Sequence, residues 1–429
     1  MRATRHQKQN HPENSDKQPF HCARPCRSQH KPPSILPPRD CSDSIAIDTF
    51  RSLPDSRLPL RGPTNTWRNN SVPNCPMNHY LGIDVGGTTT TITIGDESRE
   101  VLRIGDQFPT RSPEGPEATV QAMVENAVAI AESIGSSIDN IHAVGLATPG
   151  PASFDGVLHK TPNLNPELWD QFPIRARLEE ELRRRNPDIS VHYLGDGQAA
   201  ALGEYVIRSG AVRWNEIQLK DGDDDRLTTL LMAVVGTGLG GGMVRDGRVL
   251  RGREGRAGHI GHITLPDYAF RHEHDRKLLV GHAMATAESA VSLTGLTHQL
   301  AYRLTLEQWR DHPLNAQEGT AKDKAKQLRE LAAAGDELAL ELFLDQAHAL
   351  GVTLLNADYL GDYDLIVIGG GVCELAPSVR EQYRLKAEES YRRYALDAFK
   401  ELKSIEFSVC GDNAPVIGSL AHVYFQSMR

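Results

Sequence analysis

Cysteine is scarce in this chain: six among 429 residues, four of them (Cys22, Cys26, Cys41 and Cys75) within the first 76. A disulfide-built scaffold is thereby excluded, and the remaining two, Cys373 and Cys410, fit a reducing, cytoplasmic setting. Positive charge is short as well. The 47 Lys and Arg stand against 56 Asp and Glu, a formal charge of −9, which argues against a chain built mainly to coat nucleic acid or an anionic membrane. A secretory signal is missing too, because no continuous apolar core follows a basic start. Residues 227–244 form an uncharged run but contain Gly236, Gly238, Gly240, Gly241 and Gly242. Such a run reads as a buried strand and glycine turn rather than a lipid-facing helix. No internal repeat of solenoid period is present. What is present, 24% charged and 39% hydrophobic residues, is the composition of a soluble globular protein. The length suits two or three domains at about 150 residues each.

Proline gathers at one end. Residues 1–76 hold 12 of the 25 prolines and carry 12 Lys and Arg against 6 Asp and Glu, a net of +6, which leaves −15 for the remaining 353 residues. No window there shows helical or strand periodicity, and Pro32-Pro33 and Pro37-Pro38 forbid a helix. The segment reads as a disordered basic arm. Its His21, Cys22, Cys26 and His30 miss the spacing of a zinc finger. Met77, immediately before the first clear strand, offers an alternative start of translation.

From residue 80 onward strands and helices alternate, which predicts an α/β fold with mixed sheets. The pattern gives strand, glycine turn and strand over 80–94, a helix over 117–134 and a strand over 141–146. A helix over 174–185, a strand over 191–194 and a helix over 198–207 follow. An apolar strand at 230–235 turns through glycines into a hairpin, with Asp246-Gly247 as a further turn. Helices are expected over 283–304 and 321–359, then a short buried strand at 364–368 and a last helix at 415–426.

Two glycine turns follow apolar strands: Asp84-Val85-Gly86-Gly87-Thr88 and Gly236-Thr237-Gly238-Leu239-Gly240-Gly241. Glycine lets a backbone approach a phosphate and aim N–H groups at it, and Thr hydroxyls add donors. Neither turn is a Walker loop or a dinucleotide fingerprint, and each taken alone is more often a tight hairpin than a ligand site. Together with Gly369, Gly370 and Gly371 they outline a cleft that grips a nucleotide at several points. Asp84 is either a structural cap or a carboxylate that orients Mg²⁺ beside a phosphate loop. Asp196, at a strand-to-helix junction, is either an N-cap or a general base facing a cleft.

With these motifs in order, the chain resembles the ROK family of sugar kinases and sugar-responsive repressors, within the actin/hexokinase-like superfamily. The resemblance spans 77–429. It rests on Ile83-Asp84-Val85-Gly86-Gly87-Thr88, Gly145-Leu146-Ala147-Thr148-Pro149-Gly150 and Thr161-Pro162-Asn163-Leu164. Further matches are Gly195-Asp196-Gly197-Gln198, the glycines 236–242, Gly258-His259-Ile260-Gly261-His262, Gly369-Gly370-Gly371-Val372 and Gly411-Asp412-Asn413-Ala414. It implies a two-lobed, ribonuclease H-like fold with a ligand cleft between lobes. The small lobe would be 77–196 completed by the C-terminal helix 412–429, and the large lobe 197–411. It also implies ATP and Mg²⁺ as cofactors, sugar and nucleotide as small-molecule partners, and a homodimer; the charge balance adds no nucleic acid and no membrane as partner. Gly86, Gly87, Thr88, Gly236, Thr237, Gly238 and Gly240 match phosphate contacts, and Gly369–Gly371 the adenosine contact. Asp196 matches the base that takes the proton from the attacking sugar hydroxyl. Asn163, His259, His262 and Glu288 match sugar-contacting positions.

The departures are informative. Gly195 stands where the family places Asn and His259 where it has Glu, so the sugar loses a hydrogen bond and an acceptor; Thr89 stands where the family commonly has Lys. The family's zinc-binding cysteines are absent. His262, His272 and His274 parallel their spacing, so the loop is either an imidazole zinc site or a solvated polar segment. The reading that follows is an ATP-dependent hexose kinase, glucose at its 6-hydroxyl first. The alternatives are another hexose such as an N-acetylhexosamine or fructose, polyphosphate as donor, or a non-catalytic sugar sensor. No helix–turn–helix pattern lies in 1–76, which argues against a DNA-binding repressor.

Overall fold

Two mixed sheets, each with helices against it, organise the chain. The computed structural model describes residues 78–161, 164–217, 227–401 and 405–426; all lie in the unit Ser71–Arg429. The arm expected over 1–76, the candidate start Met77 and the sugar-contact candidate Asn163 fall outside them.

The first sheet contains β1 (His79–Val85), β2 (Thr89–Asp96), β3 (Val101–Ile104), β4 (Phe108–Pro109), β5 (Ile141–Thr148) and β6 (Ser190–Gly195). Its order is β3-β2-β1-β5-β6, with β4 paired to β2. β1 runs antiparallel to β2 and parallel to β5, which in turn is parallel to β6. The second sheet contains β7 (Thr229–Val235), β8 (Leu239–Arg245), β9 (Arg248–Val249), β10 (Leu365–Gly370) and β11 (Ile405–Phe407), in the order β11-β10-β7-β8-β9. Again the first strand is antiparallel to the second and parallel to the two that arrive later. The same topology thus occurs twice. The central strands are apolar and buried on both faces, as parallel strands covered by helices must be.

The helices of ten residues or more are α1 (Pro116–Ser133), α2 (Ile174–Arg183), α3 (Asp196–Arg208), α4 (Leu293–Arg303), α5 (Glu337–Gly361), α6 (Pro377–Tyr394) and α7 (Ala414–Gln426). α3 leaves the first sheet but packs on β7 and β8 of the second, whereas α7 leaves the second and packs on β1 and β5 of the first. The two helices cross each other through small residues. A Cβ on Gly203 would strike the Ala414 carbonyl, and one on Gly418 would strike the Ala199 carbonyl, so only glycine permits this approach. Residues 227–244, the uncharged run, are β7, the glycine turn and β8. α5 is long and apolar enough to cross a membrane, but the apolar window that gives it this character is 72% buried inside the protein.

Several expected elements are divided. The helix expected over 321–359 is three, Ala321–Ala325, Leu328–Ala333 and α5, because Gly335 at φ 87° ends one and Asp336 caps the next. The helix expected over 283–304 is a short turn, Ala287–Ala290, followed by α4.

Candidate active site

Every candidate phosphate loop and carboxylate lies at the carboxyl end of a parallel strand, the end where open α/β sheets hold ligands. The turn after β1 is fixed by the Gly86 N–H donating to the Thr89 carbonyl at 2.8 Å and by the Thr110 hydroxyl donating to the Gly86 carbonyl at 2.8 Å. The equivalent turn after β7 is fixed by the Gly236 N–H on the Gly238 carbonyl at 3.0 Å, and by the Leu239 N–H on a Glu288 carboxylate oxygen at 2.9 Å. Those bonds consume Gly86, Gly236 and Leu239; among the described residues Gly87, Thr88, Thr237 and Gly238 remain as the N–H donors of the two turns. Gly240 sits inside β8 opposite Val234. At the end of β10, Gly369 and Gly370 lie opposite Val234 and Val235, so this loop adjoins the second turn. Gly370 has φ 80°, and a side chain there would stand 2.6 Å from the Val235 carbonyl oxygen. Gly371 is flanked by Arg329, which pairs with Glu374.

Asp196 is not a cap. Gly195 occupies the N-cap position and Asp196 opens α3, its carboxylate accepting from the adjacent Gly197 N–H at 2.6 Å. It lines a pocket with Gly150, Tyr193, Gly195 and Gln198 from the first sheet side, and Gly240, Gly241 and His259 from the second. Burial raises its pKa to about 6, against the opposing pull of the backbone N–H groups. Asp84 is raised further, to about 7, first by burial and then by the charges of Asp196 and Asp412. Asp412, just after β11, is itself raised by burial and by Glu374. The charges of Asp196, after β6, and Asp412, after β11, therefore both reach Asp84 at the end of β1. Asp412 was not singled out from sequence. Its only signal was its place in Gly411-Asp412-Asn413, the counterpart after β11 of Asp196 after β6.

His259 lines the pocket, with its ring beside Gly150, and stacks on His262 at a centroid distance of 6.0 Å. Desolvation, then His262 and Arg256, hold its pKa below the usual histidine range. That favours the neutral ring, which has one acceptor nitrogen where a carboxylate would have two oxygens. Glu288 is engaged with the second glycine turn rather than lining the pocket.

The zinc reading of His262, His272 and His274 finds no counterpart. His274 lies in an aromatic stack, 4.2 Å from the His298 ring and 4.3 Å from Tyr302, while His272 meets Tyr302 edge-on. Among the described residues no group of three or more His, Cys, Asp or Glu is arranged to hold a metal ion. The loop is tied down instead by Asp275, buried and bound by both terminal nitrogens of fully buried Arg303 at 3.0 and 2.9 Å. Arg303 also reaches Glu341 and Asp345 on α5.

The ROK family model matches residues 80–424. The chain belongs to the ROK family. Among its relatives, a glucokinase of Halalkalibacterium halodurans is 28% identical over 342 residues, 79% of this chain and 93% of the relative. An N-acetylmannosamine kinase of Vibrio cholerae is 31% identical over 186 residues, 43% of this chain and 54% of the relative. Among solved structures, a ROK hexokinase of Thermus thermophilus superposes with TM-score 0.62 at 28% identity, over 82% of this chain and 99% of that one. The mixed sheets flanked by helices, expected from sequence, are those of this family's structures.

Proposed function

We propose that this ROK sugar kinase transfers the terminal phosphoryl group of ATP to the 6-hydroxyl of a hexose, glucose first, with Asp196 as general base. The observation that carries the reading is the position of Asp196: freed from capping, at the carboxyl end of β6, in a pocket lined from both sheets. With a pKa of about 6 it is mostly ionised at pH 7 yet basic enough to take a hydroxyl proton. The sugar oxygen attacks the terminal phosphorus, the bond from phosphorus to the leaving ADP oxygen breaks, and the proton goes to the Asp196 carboxylate. The free N–H groups of Gly87, Thr88, Thr237 and Gly238 would meet the phosphates, and Gly369–Gly371 the adenosine. Asn163, His259 and His262 would serve the sugar, while Glu288, the fourth candidate from the resemblance, holds the second glycine turn.

The donor set fits Mg²⁺. Asp84 is raised by burial and by the charges of Asp196 and Asp412, a concentration of negative charge that a divalent cation relieves. Mg²⁺ bound through one or two carboxylates plus substrate phosphates and water needs no all-protein cage, in keeping with the absence of one among the described residues. Bound there it would supply charge neutralisation to the phosphates; Asp84 and Asp412 would hold it. The reading takes 77–196 with 412–429 as a small lobe and 197–411 as a large one, supported by α7 packing on β1 and β5.

A coupled assay with ATP and a panel of hexoses tests the proposal. Turnover is expected on at least one, with Asp196→Asn lowering kcat about a thousandfold. No turnover on any sugar, with ATP or polyphosphate, sinks the enzyme reading.

A further inference from the structure

The pocket that holds Asp196 is bordered by two loops that come from different sheets. Residues 149–158 follow β5 of the first, and residues 250–259 follow β9 of the second. They meet at Phe154 and Arg251. The Arg251 guanidinium carbon lies 3.6 Å from the centre of the Phe154 ring, and its Nη2 donates to the Phe154 carbonyl at 2.8 Å. The backbones are close too, since a side chain on Gly255 would stand 3.1 Å from the Phe154 Cα. From α3, the helix that Asp196 opens, the Gln198 amide donates to the carbonyls of Gly255 and Ala257 at 3.1 and 2.9 Å. Gly255 and Ala257 line the pocket opposite Gly150 and Ala152. One loop is thus tied on one side to the helix of the base and on the other to the loop of the opposite sheet.

We propose that Arg251 and Phe154 form a clasp that closes these loops over bound substrate and opens to admit and release it. Arg251 is then a positioning residue, acting through the pocket wall. The inference rests on the kinase reading of that pocket. The contacts suit a reversible device. Phe154 keeps 45% of its surface exposed although it is a large apolar ring. The Arg251 Nε is buried with no acceptor among the described residues. A cation over a partly exposed ring is a modest attraction, and an unpartnered buried donor subtracts from it. The Nη2 bond to the Phe154 carbonyl is then the main tie between the loops, a single exposed contact that can break and re-form as a loop opening at every turnover requires.

The test compares the full-length wild type with Phe154→Leu, Phe154→Tyr and Arg251→Met in steady-state kinetics, and in hydrogen exchange without ligand. Because Phe154 is half exposed, its replacement leaves the cores intact. Phe154→Leu should raise KM for the sugar about tenfold, with a smaller change in kcat, and Arg251→Met should match it. Phe154→Tyr, which keeps a ring, should restore KM. The Ala257 amide, which donates to the Arg251 carbonyl at 3.1 Å, should exchange faster in Phe154→Leu than in wild type. Wild-type KM and exchange in Phe154→Leu overturn the clasp, as do equal losses in the Leu and Tyr variants or a fall in kcat alone. A wild type without turnover refutes the kinase reading instead, and the exchange comparison still decides the clasp.

Discussion

Asp196 and Asp84 show how far a single side chain's chemistry depends on its surroundings. Both are carboxylates near strand ends, and the sequence left each with two roles. Asp196 escapes the capping role because Gly195 takes the N-cap position, and its raised pKa sets a testable limit. The base works only when ionised, so kcat should fall as the pH drops below about 6 in a pH–rate profile. Asp84 acts on stability with the opposite sense. Its folded pKa, about 7, lies above the unfolded value near 4, so the folded state binds the proton more tightly. Its contribution to stability is full below about pH 4 and is lost as the pH rises through about 7. Calorimetry of the ligand-free chain should therefore show Asp84→Asn to be more stabilising at pH 8 than at pH 5. The identities of both residues were legible, because an acid after a buried strand and beside glycines is a local pattern. The influence of Asp196 and Asp412 on Asp84 was not, since residues 84, 196 and 412 come together only in the folded chain.

Among helices and strands, those with strong period and clear ends were legible and those set by contact were not. β1, β5, β7 and α1 follow their expected bounds within two residues. α6 was missed because it is rich in Arg and Glu, so its buried side is narrow, confined to residues such as Val379, Tyr383, Ala387 and Tyr391. β11, three residues long, carries too little pattern to stand out. The crossing of α3 and α7 depends on two glycines, and Gly418→Ala, which drives a methyl into the Ala199 carbonyl, should cost about 2 kcal/mol in chemical denaturation. The segment carrying His262, His272 and His274 was expected to hold zinc or stay solvated, and in the structure the Arg303–Asp275 ion pair fastens it. Arg303→Met, which leaves Asp275 buried and unpaired, should destabilise by about 3–5 kcal/mol. Chelation in the absence of nucleotide should leave Tm where it was, whereas a metal-stapled loop would lose several degrees.

Taken as a unit, the protein is one topology used twice, with the two turns, the two strand-end carboxylates and the two helices α3 and α7 in corresponding places. Each helix leaves one sheet to cover the other, so ligands at the shared rim should bind to and stabilise both halves at once. Sugar and a non-hydrolysable ATP analogue, each at a hundred times its Kd, should add about 2.7 kcal/mol apiece, read as a single cooperative shift in the thermal transition. Two separate transitions responding to different ligands would contradict this coupling. The duplication escaped sequence reading because strand order leaves no residue signature: the turns Gly86-Gly87-Thr88 and Gly236-Thr237-Gly238 share little beyond glycine.

Local sequence settled the α/β alternation, the glycine turns and the acids beside them. These follow from backbone freedom and hydrophobic period over a few neighbouring residues. Folding alone decided which of those groups share a rim. It also decided that Glu288 braces a turn, that Arg303 pairs with Asp275, and that Arg251 reaches Phe154. These are encounters between residues far apart in the chain, fixed by packing and by the demand that buried charges find partners.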